Sequence, residues 1–125
     1  MSAAPGMPLG VLLSRPGHGP AQLALMAAAA AAALGRPVTL FVTGEATALL
    51  SRPDPFAGDP REALAAARGV ATVAELLEAA RAMGVRLLLC DAALRMAGAE
   101  APPGAEVAGL VTFLSAVGQG PVLTF

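Results

Sequence analysis

Short apolar runs alternate with alanine- and leucine-rich stretches of helical character, an order that predicts an α/β fold. Parallel strands joined by helical crossovers give a mostly parallel sheet with helices on both faces. The runs are continuous instead of alternating in polarity, the pattern of strands covered on both sides. At 125 residues the chain can bury a core without disulfides or metals. It shows no repeat and no second domain, so residues 1–125 are expected to form a single domain.

Residues 1–8, with Pro5 and Pro8, read as a loose leader. Leu9-Gly10-Val11-Leu12-Leu13 is the first strand, broken by the turn residues Arg15-Pro16-Gly17-His18-Gly19-Pro20. Ala21 to Leu34 is a helix by propensity, stopped by Gly35-Arg36-Pro37. Val38-Thr39-Leu40-Phe41-Val42, rich in β-branched residues, is the second strand. A short helix is expected within Thr43 to Leu50, followed by loop from Ser51 to Gly58. Asp59 as N-cap, Pro60 at the first helical position and Glu62 mark a brief helix, Pro60 to Arg68, inside a long loop or insertion over 51–70.

Thr72-Val73-Ala74-Glu75 is a capping box, and Val73, Leu76, Leu77 and Ala80 form one apolar stripe of the helix it opens. Gly84 ends that helix and hands over to the strand Val85-Arg86-Leu87-Leu88-Leu89, closed by Cys90. Ala92 to Ala97 is a short helix ending at Gly98, and Pro102-Pro103-Gly104 is a turn. Glu106 to Gly109 is a short extended piece, Leu110 to Val117 a helix, and Pro121 to Phe125 the last strand.

Composition narrows the function classes. Eight basic residues, all arginine, stand against nine acids, with no basic run and few aromatics, so no nucleic-acid partner is expected. One cysteine excludes an intramolecular disulfide and a multi-cysteine zinc site. With a single histidine, a metal site would need carboxylates that nothing in the chain groups together, so neither metal nor cofactor is expected. Leu23 to Leu34 is apolar for twelve residues, short of the about 18–20 that span a bilayer. Read as a signal peptide it would remove the first strand on cleavage, so the expected location is cytoplasmic, with no membrane partner. Alanine-packed helices bury little area each, and at roughly 25 cal/mol per Å² association with further copies is an expected source of stability.

Cys90 is the residue best placed for chemistry. A buried strand that turns directly into a helix delivers its last residue to the carboxyl edge of the sheet, where ligands of open α/β proteins bind. The positive end of the helix dipole favours a thiolate there, whereas the neighbouring Asp91 carboxylate repels one. The same position also suits a buried thiol that fills the edge. His18, expected in the loop after the first strand, opens at the same edge and is a candidate base or partner for the thiol, or else a solvated loop histidine. Gly17-His18-Gly19 lacks the third glycine of a phosphate-binding pattern. Arg95, about one helical turn on, is a candidate for an anionic substrate or the thiolate, and otherwise a solvated helix residue. Arg52, Asp54 and Arg61 belong to the long loop and could form a lid.

Gly84-Val85-Arg86-Leu87-Leu88-Leu89-Cys90, then Ala92-Ala93-Leu94-Arg95 and Gly98, resembles the central motif of the DsrE/DsrF-like family, which includes TusD-type sulfur-relay subunits. Val107 to Leu114 and Val122-Leu123-Thr124-Phe125 resemble that family's closing helix and strand, so the likeness runs over nearly the whole chain. The resemblance implies a three-layer α/β/α domain with a five-stranded parallel sheet, assembled as a trimer, hexamer or mixed oligomer. It also implies that Cys90 carries a persulfide, taking sulfane sulfur from one protein and giving it to a thiol on the next.

Three functions follow as expectations. The first is a sulfur carrier or sulfurtransferase-like protein acting through Cys90, with His18, Asp91 and Arg95 beside it and donor and acceptor proteins as partners. The second is a non-enzymatic oligomeric binding or assembly module of the same fold. The third is a redox-sensing thiol that forms a sulfenic acid or an intermolecular disulfide.

Overall fold

The computed structural model describes residues 6–125, so most of the expected leader, residues 1–5, lies outside the described residues. The elements run β1 (Leu9–Leu13), α1 (His18–Ala33), β2 (Val38–Val42), α2 (Ala46–Leu50), α3 (Pro60–Ala67), α4 (Val73–Ala82), β3 (Arg86–Cys90), α5 (Asp91–Ala97), β4 (Glu106–Ala108), α6 (Leu110–Val117) and β5 (Val122–Thr124). The five strands lie in the order β4-β3-β2-β1-β5, and every pairing is parallel.

Pleat alternation divides the core in two. Leu9, Val11 and Leu13 of β1 and Val38, Leu40 and Val42 of β2 pack with α1, α4, Leu50 and Leu94 on one face. Phe41, Leu88 and Cys90 face the other way and pack with Phe113 and Val117 of α6. On the first face α1 lies against the sheet through Leu25 and the small side chains of Ala21, Ala24, Ala28 and Ala31, which let the backbones approach. The sequence expects α1 to begin at Ala21, but it begins at His18. Gly17, at φ 113°, turns the chain in a conformation that favours glycine and serves as the N-cap. Pro20 then falls in the first turn, where a missing N–H costs nothing.

On the second face α6 is held by close contact. Phe113 stacks on Phe41 with ring centroids 5.2 Å apart. A Cβ placed on Gly10 would lie 2.9 Å from Phe113 Cζ and closer still to Val117 Cγ2, so glycine in β1 is what lets α6 seat. Thr72 caps α4 with the reciprocal Glu75 contact that the sequence pattern predicts. At the edge of the sheet Arg86 and Glu106 form a bidentate surface pair across β3 and β4. No helix is long and apolar enough to cross a membrane among the described residues.

Candidate functional site

Cys90 is both the last residue of β3 and the N-cap of α5, so no loop separates strand from helix. Its neighbour in the sheet is Ala108 at the end of β4. From these two adjacent strand ends the chain departs to opposite faces. After Cys90 it enters α5, whose Leu94 packs into the α1 and α4 side, and after Gly109 it enters α6 on the other. Such a divergence opens a crevice beyond the carboxyl ends of the strands, the usual ligand position in open parallel sheets.

A cavity of about 440 Å³ occupies that crevice. Leu12, Phe41 and Cys90 line it from the sheet, Asp91 and Ala92 from the start of α5, and Gly109 and Leu110 from the start of α6. Thr43, the residue after β2, completes the lining. Cys90 is 8 % exposed and borders the same apolar cluster as Phe41 and Phe113, so the thiol meets the cavity from an apolar floor. Arg95 Nε lies 3.2 Å from Asp91 Oδ2, one turn along α5. The arginine charge is therefore directed at the carboxylate beside Cys90 and offsets it, instead of reaching the thiol. The pair is exposed, so its energetic weight is small.

His18 is not a solvated loop residue: as the first residue of α1 it is 4 % exposed and sits on the sheet face opposite Cys90's side chain. It does not line the Cys90 crevice. Its Nε2 donates to Glu62 Oε1 at 2.7 Å, its ring meets Phe56 edge-on at 5.4 Å, and its buried Nδ1 has no partner among the described residues. A carboxylate only accepts, which assigns the proton to Nε2 from geometry. Glu62 also accepts from the backbone N–H of Val73 at 2.8 Å and of Ala74 at 3.1 Å, the first two residues of α4. Burial works to raise the Glu62 carboxyl, but the Val73 amide, the His18 ring and the Ala74 amide outweigh it and hold it below the ordinary carboxylate value. One carboxylate thus ties α3 to α1 and to the N-terminus of α4.

Neither Arg52, Asp54 nor Arg61 lines the Cys90 crevice. Sequence reading missed Leu12, Phe41, Thr43, Gly109 and Leu110 as site residues, since each adjoins Cys90 only through the strand order. It registered Glu62 only as a helix-start residue, because its partners lie 11 and 44 positions away.

The DsrE/DsrF-like family model matches residues 7–125, nearly the whole chain. Among curated proteins, none matches the chain.

Proposed function

The chain belongs to the DsrE/DsrF-like family, and on that premise we propose that Cys90 carries sulfane sulfur as a persulfide and passes it to a thiol of a protein partner. The observation that carries this reading is the place of the thiol: at the floor of a 440 Å³ cavity, at the divergence of β3 and β4. The Cys90 thiolate attacks the outer sulfur of a donor persulfide, forming the Cys90 persulfide and releasing the donor as thiolate. An acceptor thiolate then attacks the outer sulfur in turn, and Cys90 leaves as thiolate, with no net oxidation in either step. Room above the sulfur admits the second sulfur atom. The starts of α5 and α6 adjoin it, with backbone N–H groups suited to negative charge. Asp91 lines the cavity and is paired with Arg95 one turn along α5, which does not itself line it, whereas His18 serves the packing of α3.

The protein works in this reading as a cytoplasmic homo-oligomer, a trimer or hexamer. The outer side of α6 supports association, since Leu110, Val111 and Leu114 are exposed, Val111 by 83 %. A second reading, a non-enzymatic assembly module, draws on the burial of Cys90 among Phe41, Leu88 and Phe113. Intact mass spectrometry after treatment with polysulfide or thiosulfate, with and without reductant, separates the two. A reductant-labile gain of one sulfur on the wild type, absent from Cys90→Ser, is expected; no adduct with any donor would refute the carrier.

A further inference from the structure

Across the sheet from Cys90 a larger cavity, about 710 Å³, opens beside β3. The alternation that turns Cys90 to the α6 side turns Leu87 and Leu89 to the other, where with Leu50 and Val85 they form an apolar floor. The cavity persists because the helix after β4 crosses to the opposite face. On this side β3 and β4 are bordered by the Pro102-Pro103-Gly104 turn instead of being roofed by α6.

Its rim is basic. Three of the chain's eight arginines line it: Arg52 from the segment after α2, Arg81 from the last turn of α4, and Arg86 from β3. Arg86 is matched by Glu106, but among the described residues neither Arg52 nor Arg81 has a hydrogen-bond or ion-pair partner within reach. Arg52 and Arg81, unpaired among the described residues, thus border a cavity with a leucine floor, in a volume typical of small-molecule sites, about 300–1,000 Å³.

We propose that this cavity binds a small amphipathic organic anion. The apolar body lies on Leu87 and Leu89, and a carboxylate or phosphate head meets Arg52 and Arg81. Guanidinium groups pair with both heads through charge-assisted hydrogen bonds, and a leucine floor rewards only a ligand with an apolar body. A neutral apolar ligand would leave both charges unmatched, and a bare anion would leave the floor wet. The site is independent of the sulfur-carrier reading, since it lies on the other face and uses none of the Cys90 crevice.

The test is an amide-resolved NMR titration of the full chain with octanoate, octyl phosphate and inorganic phosphate, repeated on Cys90→Ser and on the double variant Arg52→Gln/Arg81→Gln. Both arginines are exposed, so the variant is expected to melt like the wild type. Saturable shifts centred on Leu50, Arg81, Leu87 and Leu89 are expected with the octyl ligands, unchanged in Cys90→Ser. Inorganic phosphate is expected to bind at least tenfold more weakly, and the double variant to lose tenfold or more in octyl-ligand affinity. The stronger of the two octyl ligands identifies the head. Absence of saturable shifts, equal affinity in the double variant, phosphate binding as tightly as octanoate, or shifts centred on α6 would each overturn the proposal.

Discussion

Replacing Glu62 by Gln removes one charge and leaves every shape nearly intact. In the wild type the carboxylate accepts from Val73 N at 2.8 Å, Ala74 N at 3.1 Å and His18 Nε2 at 2.7 Å. Its side chain is 15 % exposed, so some solvent screening remains. A hydrogen bond to a charged group contributes about 1.5–3 kcal/mol and a neutral one about 0.5–1.5, so each bond that becomes neutral loses roughly 1 kcal/mol. Gln keeps one acceptor oxygen and turns an NH₂ toward donors, so at least two of the three contacts are affected. The charge also faces the N-terminus of α4, where the dipole favours it by a few tenths to about 1 kcal/mol. The expected loss is about 2 kcal/mol, a fall of roughly 6–10 °C in Tm for a domain of this size.

The pH dependence gives a sharper check. Because the folded-state carboxyl is held below its ordinary value of 4.5, its stabilisation is full above that pH and is lost as pH falls through the lower folded value. Urea unfolding of wild type and Glu62→Gln should therefore differ by about 2 kcal/mol at pH 7 and converge as the pH falls below the depressed folded-state value of the carboxyl. Hydrogen exchange should show the loss first in residues 60–74. A difference under about 0.5 kcal/mol at pH 7, or one that is unchanged at acid pH, would refute the role assigned to this carboxylate.

Gly10→Ala forces a Cβ against Phe113 and Val117, and the overpacking should cost about 1–3 kcal/mol in urea unfolding with an unchanged m value. Phe113→Ala empties the stack on Phe41 and should cost about 3–5 kcal/mol. It should also speed the reaction of Cys90 with an aromatic disulfide reagent, since the ring packs in the same cluster as the thiol. Asp91→Asn removes the carboxylate beside Cys90 and leaves Arg95 unpaired, so iodoacetamide should alkylate Cys90 about two- to fivefold faster at fixed pH. An equal rate would mean that neither the carboxylate nor the arginine it leaves unpaired is felt at the thiol, and would refute this coupling.

Local patterns carried much of the architecture. Leu9–Leu13, Val38–Val42 and Leu110–Val117 are legible because continuous apolar runs and helix-period stripes each encode one element within a few residues. Thr72 and Glu75 announce α4 by a contact that spans three positions. His18 shows where this ends. Glycine and proline around it read as a loop, yet the chain enters α1 there, because Gly17 supplies the positive φ and Pro20 occupies a first-turn position that tolerates it. Its carboxylate partner is 44 residues away, beyond any local signal.

By itself the sequence determined that Cys90 ends a buried strand, that a helix follows at once, and that the chain resembles the DsrE/DsrF-like family along nearly its whole length. These are properties of neighbours along the chain, set by propensity, capping and periodicity. Tertiary structure alone decided that β4 lies beside β3 and that the helices after them leave to opposite faces. That divergence opens the crevice at Cys90 and leaves the arginine-rimmed cavity on the far side. It also carried His18 to the other face of the sheet, away from the thiol. Pleat direction and crossover side depend on which strands pair, and pairing is settled by packing between residues far apart in the chain.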